Sequence, residues 1–400
     1  MKVYKFISSN IYKNHNKSIS HPIIKISIIA ISISISIMII SSSILNGFQQ
    51  KISNKITGFA GNIQLSKIQD NYIFNKPIEV NHKMTEDIKS IKNIKSINHF
   101  AYKTGIIKNQ NIQGIIMKGV DNNYNFDFLK KNITKGNIIN FESKNEIIIS
   151  EYISNKINCK VNEYVLISFI DEVPRIKKFK ITGIYKTNLE EIDKNFIITN
   201  IQTIQNINKW NSNQIAGFEI KIKNLKLEKE TINEIESIIP FNMHAKSIKT
   251  VYPQIFDWLK IQDYNFLIIM ILMSIICIAN IINCILIIAI DKIKFIGIIK
   301  TFGYNNKMIN KIFFNISKNI ITKGIIIGNI AGITICYLQK TTSFIKLNPE
   351  VYYMDAIPIG INLSQVFAIN FVAIIFSLLS IFASSTIMTK LKTIKLINFE

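Results

Sequence analysis

Arginine and histidine are scarce in this 400-residue chain. A single arginine, Arg175, stands among 48 basic residues, and the five histidines are dispersed. The formal net charge of +22 therefore comes from lysines spread along the whole sequence, against an Ile- and Asn-rich background typical of an AT-rich genome. Proteins that read nucleic acids concentrate basic and aromatic side chains on one surface, and this sequence shows no such cluster. Nucleic acid is therefore not an expected partner.

Cysteine is also rare. Of the four cysteines, Cys277, Cys284 and Cys336 lie in apolar runs and only Cys159 lies outside them. The soluble part of the chain therefore cannot form an internal disulfide, and no pair has the CxxC spacing of a zinc site. We interpret all four as small apolar packing residues.

Motifs for catalysis or nucleotide binding are missing. The sequence contains no GxxxxGK[ST] phosphate loop, no HExxH zinc motif and no GxSxG nucleophile motif. The stretch GIIKTFG (297–303) only superficially resembles a glycine-rich loop, and the carboxylates of EEID (190–193) have no partner in sight. We therefore predict that the chain is not an enzyme and has no catalytic, cofactor-binding or metal-binding residue.

Long apolar runs are plentiful, and four reach or approach the 20 or so residues that a membrane helix needs. They cover residues 23–45, 264–290, 320–338 and 366–388. In the first run Ser and Ile alternate from Ile31 to Ile37, a pattern typical of a strand. Its twelve isoleucines, however, favour membrane insertion of a helix by about 4–7 kcal/mol. A lone strand would leave its backbone unsatisfied in lipid, so a helix is predicted.

The serines of this first helix fall on opposite sides. At 100° per residue one stripe holds Ser27, Ser34 and Ser41, and the other holds Ser32, Ser36 and Ser43. Small polar residues let membrane helices approach closely, which predicts contacts on both faces. The alternative is that each hydroxyl bonds the carbonyl four residues earlier in its own helix.

Lysine placement predicts the topology, because lysines accumulate in cytoplasmic loops. Residues 1–22 contain four lysines and no acid, and residues 291–318 contain six lysines and one acid. Both termini and this loop are therefore predicted to be cytoplasmic, in a multi-pass membrane protein. A cleavable leader is rejected because the apolar run is too long.

The predicted fold is a membrane α-helical protein with four transmembrane helices and a large extracytoplasmic α+β domain inserted between helices 1 and 2. Two α+β lobes fit the 218 residues of that domain, with helices expected at 85–97, 201–210 and 226–239. The segments have these predicted bounds: cytoplasmic segment 1–22, helix 23–45, periplasmic domain with stalks 46–263, helix 264–290, cytoplasmic loop 291–319, helix 320–338, periplasmic loop 339–365, helix 366–388 and cytoplasmic tail 389–400.

Two motifs carry more information than composition does. Gly324, Gly328 and Gly332 form a GxxxGxxxG ladder on the third span, which predicts close helix packing; the alternative is a locally loosened helix. In the loop after the second span, Ile293, Ile296 and the pair 298–299 predict an apolar stripe on a short helix ending at Gly303. That helix could lie on lipid headgroups or dock a cytoplasmic partner, and composition alone does not decide.

With these features in order, the chain resembles the lipoprotein-releasing (LolC/LolE type) permeases within the wider MacB/FtsX-like group. The resemblance includes NGFQ (46–49), ITGFAGNIQL (56–65), MKGVD (117–121) and a long stretch at 146–168. It is strongest over ANIINCILIIAIDKIKFIGIIKTFGYNNKMINKIFF (279–314), and residues 264–400 correspond to the FtsX-like permease domain.

The resemblance implies a permease subunit of an ABC transporter. ATP would be bound by a separate, LolD-like ATPase, and a second permease, identical or related, would complete the membrane part. ATP-driven motion would release a lipoprotein substrate from the inner membrane to a LolA-like periplasmic carrier. The alternatives are an FtsX-like regulator of cell-wall hydrolases and a MacB-like export permease.

The resemblance also assigns residues by position. For contact with the ATPase it suggests Ile296, Ile298, Lys300, Thr301 and Gly303. For helix packing it adds the matched Asn280 of the second span to the glycine ladder. Asn283 departs from the family, which usually has a small serine there, and adds a second amide for packing. The loop that would bind a carrier falls near Phe169–Lys178 and contains Pro174 and Arg175.

Overall fold

The computed structural model describes residues 20–68, 76–143, 145–169 and 174–389. The predicted cytoplasmic segment 1–22 and tail 389–400 therefore fall almost wholly outside the described residues. The chain divides into two compact units. A membrane unit holds residues up to Gln50, Trp258–Lys346 and the chain from Ala356 onward, and an outer unit holds Lys51–Asp257 and Leu347–Asp355.

The elements follow one another in a simple order. The helices are α1 (Ser20–Ala60), α2 (His82–Ser90), α3 (Asp127–Asn132), α4 (Glu151–Ile157), α5 (Glu190–Asp193), α6 (Ile201–Asn208), α7 (Glu228–Ile238), α8 (Ile248–Val251), α9 (Pro253–Asp291), α10 (Ile293–Thr301), α11 (Asn306–Thr342), α12 (Pro349–Tyr352) and α13 (Leu363–Thr389). The strands are β1 (Ile63–Lys67), β2 (Ile78–Glu79), β3 (Ile94–Lys108), β4 (Ile112–Val120), β5 (Ile133–Gly136), β6 (Glu146–Ser150), β7 (Tyr164–Phe169), β8 (Arg175–Tyr185), β9 (Phe196–Asn200), β10 (Gln214–Ile215), β11 (Gly217–Ile222) and β12 (Met243–Ser247).

Four helices in the described part of the chain, α1, α9, α11 and α13, are long and apolar enough to cross a membrane. The prediction of four transmembrane helices, with the mixed α/β domain after the first, is confirmed. Each helix is longer than its predicted span. Helix α1 runs unbroken from the apolar run through Gln49–Thr57, and α9 begins at Pro253. The segments that join these two spans to the inserted domain are therefore helical.

The membrane unit is held together by a single apolar cluster. Buried side chains of α1, α9, α10, α11 and α13 all contribute to it, and isoleucine dominates. Isoleucines pointing away from the cluster, such as Ile26, Ile29 and Ile33 of α1, stay more than half exposed. Such outward apolar side chains are what a lipid-facing surface requires.

The outer unit is built on one ten-stranded sheet. Strand pairing runs from β3 through β4, β9, β6, β8 and β7 and returns to β3, which makes a closed ring of six strands. Strands β11, β1 and β12 extend the sheet from the first half of β3. The two α+β lobes predicted from the sequence therefore share β3, and their strands form one continuous sheet.

The predicted helix at 85–97 is wrong beyond Ser90. Helix α2 ends there, and residues from Ile94 onward form β3, the longest strand of the sheet. The change of structure is fixed by Asn93, whose side chain accepts from the Asn224 N–H at 2.9 Å and donates to the Thr231 hydroxyl at 2.8 Å. Contacts distant in sequence thus override a helical repeat of isoleucines.

The outer end of α1 is fixed by a buried charge. The Lys118 ammonium, fully buried on β4, lies 2.7 Å from a Glu219 carboxylate oxygen on β11. It also donates to the carbonyl of Phe59 in the last turn of α1, and the Tyr124 hydroxyl donates to the same carbonyl at 3.0 Å. Burial lowers the pKa of Lys118, and the carboxylate of Glu219 opposes that shift. A cation at a helix carboxyl end complements the helix dipole, so this group fastens α1 to two strands.

Replacing Lys118 with Met should destabilise the outer unit by about 3–5 kcal/mol, because the buried Glu219 carboxylate would lose its counter-ion. The measurement is urea-dependent pulse proteolysis of the full chain in detergent. Lys108→Met, at an exposed position of β3, is the control and should change little. Adding Glu219→Met to Lys118→Met should recover much of the loss. Equal effects of Lys108→Met and Lys118→Met would contradict this account.

Candidate functional site

The glycine ladder of α11 lies directly against α1. A Cβ at Gly324 would stand 2.6 Å from the Ile31 side chain, and one at Gly328 would stand 2.8 Å from the Ser32 carbonyl oxygen. At Gly332 the nearest atom would be the Ser36 Cα at 3.2 Å. Since real Cβ atoms do not approach other atoms to within 3 Å, only glycine permits this packing at the first two positions.

Serines of α1 bond to the backbone that the ladder exposes. The Ser32 hydroxyl donates to the Gly324 carbonyl at 3.1 Å, and the Ser36 hydroxyl donates to the Gly328 carbonyl at 2.9 Å. Ser32 also lies 2.7 Å from the Ile28 carbonyl of its own helix. One stripe of the serine pattern therefore forms interhelical hydrogen bonds through the gap that the glycines leave.

The opposite serine stripe is mixed. Ser27 is buried and interacts with the thiol of Cys284 on α9, whereas Ser34 donates to the Ala30 carbonyl of its own helix at 3.0 Å. Helix α1 is thus contacted on both faces, by α11 and by α9. Both interpretations of the serines hold, each for different residues.

Helix α13 is joined to its neighbours by side-chain amides that the sequence analysis missed. Asn329 of α11 and Asn370 of α13 donate to each other's amide oxygens, at 2.7 and 2.9 Å. Gln365 of α13 accepts from Ser42 at 2.7 Å and exchanges hydrogen bonds with Asn46 of α1. Asn46 belongs to the quoted NGFQ motif, so that motif marks a contact between the first and last spans.

The two asparagines proposed for packing on the second span are placed differently. Asn280 is half-buried on α9, whereas Asn283 is exposed on the same helix. Within a single chain Asn283 therefore points away from the apolar cluster. Its proposed packing role would need a second protein and stays a prediction.

The segment with the residues suggested for ATPase contact forms α10, and only some of those residues are exposed. Ile296 and Ile299 are buried in the membrane unit, whereas Ile298 is 56% exposed. The predicted apolar stripe over Ile296 and the pair 298–299 is therefore split between two faces. Thr301 is exposed and Lys300 half-buried. Ile296 is buried in the membrane unit and so supports the helix from within, and its contact with an ATPase stays a prediction.

Phe302 is the residue that the sequence analysis overlooked. It follows α10 directly and is 78% exposed. A large exposed aromatic beside Ile298 makes an apolar contact surface, and such residues anchor interfaces. The sequence feature that could have identified Phe302 is an aromatic side chain directly before the glycine that ends the helix.

Gly303 ends the helix as its position predicts. Its φ is +83°, its N–H donates to the Lys300 carbonyl at 3.1 Å, and the next N–H, of Tyr304, donates to the Ile299 carbonyl. These bonds satisfy carbonyls that the helix end leaves free. A β-branched residue would be strained in this left-handed conformation.

The predicted carrier loop is mostly strand. Arg175 is the first residue of β8 and pairs with Phe169 of β7, so the two strands form a hairpin. Residues 170–173 at its tip lie outside the described residues. The Arg175 guanidinium donates to the Ile207 carbonyl at 2.7 Å, and neighbouring Pro174 is exposed. Arg175 therefore holds the loop end of the hairpin in place.

Over the described ranges, no three His, Cys, Asp or Glu side chains come together in a way that could hold a metal ion. Most polar side-chain contacts described above for the membrane unit join one helix to another, and the rest lie within α1. The arrangement therefore serves packing between helices, and α10 adds an exposed surface at Ile298, Thr301 and Phe302. The architecture is that of a membrane protein with an inserted outer domain.

Comparison with known proteins gives the family. Residues 26–238 match the MacB-like periplasmic core domain, and residues 267–393 match the FtsX-like permease C-terminal domain. The chain therefore belongs to the family of permeases that join these two domains, within its lipoprotein-releasing LolC/LolE group.

Two relatives illustrate the match. The chain is 30% identical to the lipoprotein-releasing system transmembrane protein LolC of Buchnera aphidicola subsp. Schizaphis graminum, covering 90% of this chain and 89% of that one. It is 20% identical to the LolE protein of Haemophilus influenzae, covering 90% of each. The periplasmic region of MacB from Actinobacillus actinomycetemcomitans covers 52% of this chain and is itself covered to 98%, with 14% identity and a TM-score of 0.36, a likeness too low to support a conclusion. The resemblance drawn from the sequence is confirmed.

Gly328→Leu should destabilise the membrane unit by about 1–3 kcal/mol or more, because the new side chain would collide with the backbone of α1. The measurement is thermal unfolding of the detergent-solubilised chain. Ile330→Phe adds bulk on the exposed side of the same helix, where Ile330 is 63% exposed, and should leave stability nearly unchanged. A tolerated Gly328→Leu would contradict the packing described above.

Proposed function

We propose that this chain is the permease subunit of an ABC transporter that releases lipoproteins from the inner membrane. ATP would be hydrolysed by a separate, LolD-like ATPase on the cytoplasmic side, and a second permease would complete the membrane part. A lipoprotein would pass to a LolA-like periplasmic carrier. The observation that carries the proposal is the match over 90% of the chain to a protein named for lipoprotein release.

The structure supports a relay of motion rather than a reaction. Helix α10 offers an exposed surface formed by Ile298, Thr301 and Phe302, and helix α1 is unbroken from Ser20 to Ala60. Its outer end is fastened to the sheet through Lys118. A push on α10 would reach α11 through the buried Ile296 and Ile299, and α1 through the glycine ladder.

Lysine placement supports cytoplasmic termini and a cytoplasmic 291–319 loop. In that orientation the exposed surface of α10 faces the compartment that contains ATP, and the MacB-like domain faces the periplasm. The loop end of the β7–β8 hairpin, with Pro174 and Arg175, is then on the side where a carrier would act.

The direct test is reconstitution of the chain with its co-purifying ATPase and second permease in membranes that contain a lipoprotein. ATP should release the lipoprotein to an added carrier. If no release occurs while ATP is hydrolysed, the substrate assignment is wrong. Depletion of the chain that produces a septum defect with normal lipoprotein sorting would instead favour a regulator of cell-wall hydrolases.

Gly303→Val should uncouple ATP hydrolysis from release, because valine resists the φ of +83° that ends α10. Release per ATP hydrolysed should fall, while membrane insertion stays normal.

Phe302→Ala should weaken co-purification of the ATPase by about tenfold or more, as expected for a central aromatic anchor.

Gly114→Val is the matched control for Gly303→Val, because a Cβ at Gly114 meets nothing within 4 Å and its φ is not positive. It should leave release unchanged. Normal release by Gly303→Val would refute the role assigned to the end of α10.

A further inference from the structure

The segment that joins α11 to α13 behaves as part of the outer unit. Residues Leu347–Asp355, named the strap below, cluster with the outer unit, whereas the residues on both sides belong to the membrane unit. The base of the strap is closed by the Leu347 N–H, which donates to the Asp355 carbonyl at 2.9 Å. The sequence predicts only a periplasmic loop over 339–365.

A single ammonium group bridges the strap to the rest of the outer unit. Lys55 lies on α1, and its Nζ donates to the carbonyl of Thr187 at 2.5 Å and to the carbonyl of Tyr353 at 2.7 Å. Thr187 follows β8, and Tyr353 belongs to the strap. Hydrogen bonds from a charged donor are about twice as strong as neutral ones. One side chain of α1 therefore holds two separate segments together.

The Thr187 acceptor is itself held rigidly. The buried Asp193 carboxylate accepts from the Thr187 hydroxyl at 2.7 Å and from the N–H groups of Thr187 and Asn188. Asp193 also carries the charge that interacts with Lys55. Lys55 thus donates into a preformed turn, which lowers the entropy lost in making the bond.

The strap contributes contacts of its own. Met354 is 1% exposed, so its side chain is an apolar anchor. Asp355 interacts electrostatically with both Lys55 and Lys186. Tyr353 is held at a φ of +60°, a conformation that costs a non-glycine residue about 1 kcal/mol or more. A strained residue persists only where the surrounding contacts fix it, and the carbonyl of this residue is the one that accepts from Lys55.

We propose that Lys55 is a latch that holds the strap on the outer unit, so that α11 and α13 are tied to the same body as α1 and α9. The latch deepens the proposed relay and rests on it: motion that begins at α10 and α11 would reach the outer domain through the strap as well as through α1. All four spans would then act on one domain, and breaking the latch would remove the route through the strap while the route through α1 remains.

The test is hydrogen exchange, followed by mass spectrometry, on the full chain in nanodiscs. Lys55→Met removes the ammonium but keeps an apolar side chain of similar length, and Lys51→Met, at an exposed position one turn earlier, is the control. In Lys55→Met the strap amides of Leu347, Tyr352 and Tyr353, all hydrogen-bonded in the fold, should exchange about tenfold faster or more. Peptides from β6 and β8 should not change.

Two further variants separate the latch from general stability. Lys55→Arg keeps a charged donor and should exchange like the unaltered chain, and Met354→Ala should loosen the strap without touching α1. Unchanged strap exchange in Lys55→Met would overturn the latch, and so would faster exchange spread evenly over the whole outer unit. This readout needs no transport, so failure of lipoprotein release in the unaltered chain would count against the proposed function alone.

Discussion

The structure depends on how closely two membrane helices can approach. Lipid offers no hydrophobic driving force between helices, so association rests on van der Waals contact and hydrogen bonds. The glycine ladder of α11 removes the side chains that would keep α1 away, and Ser32 and Ser36 then reach carbonyls of α11. Glycine and serine, each unfavourable or neutral in an isolated helix, together form the central contact of the membrane unit.

The same helix carries the second constraint at its other end. Lys118 and Glu219 are both fully buried, and burying two charges is expensive unless their geometry is good. Here the ammonium has a carboxylate partner and a helix-terminal carbonyl, so its charge is used to fasten α1 to the sheet. A weaker, apolar attachment would allow the helix end to slide, and motion along α1 would be lost before it reached the outer domain.

Much of this organisation follows from the sequence because it rests on length and periodicity. The four spans, the inserted α/β domain, the glycine ladder and the helix end at Gly303 were all predictable for that reason. What escaped prediction depends on partners distant in the chain. Ile94 and Ile97 fit a helical repeat but lie in a strand, because Asn93 bonds to Asn224. The hydrogen-bonded pair Asn329–Asn370 can be recognised only when it is known that the two helices are adjacent. The position of the strap escaped prediction for the same reason, since no pattern in residues 347–355 indicates that they contact Lys55.

The proposed relay requires that ATP-driven movement at α10 reaches the outer domain. Spin labels on the full complex would measure this movement by pulsed electron resonance. One label would be at Lys307, an exposed position in the first turn of α11 that is not part of the proposed docking surface, and the other at Ile112, which is 60% exposed in the outer unit. The account predicts that the distance distribution between the two labels shifts when ATP is bound and returns after hydrolysis. An unchanged distribution in a complex that is hydrolysing ATP would contradict it.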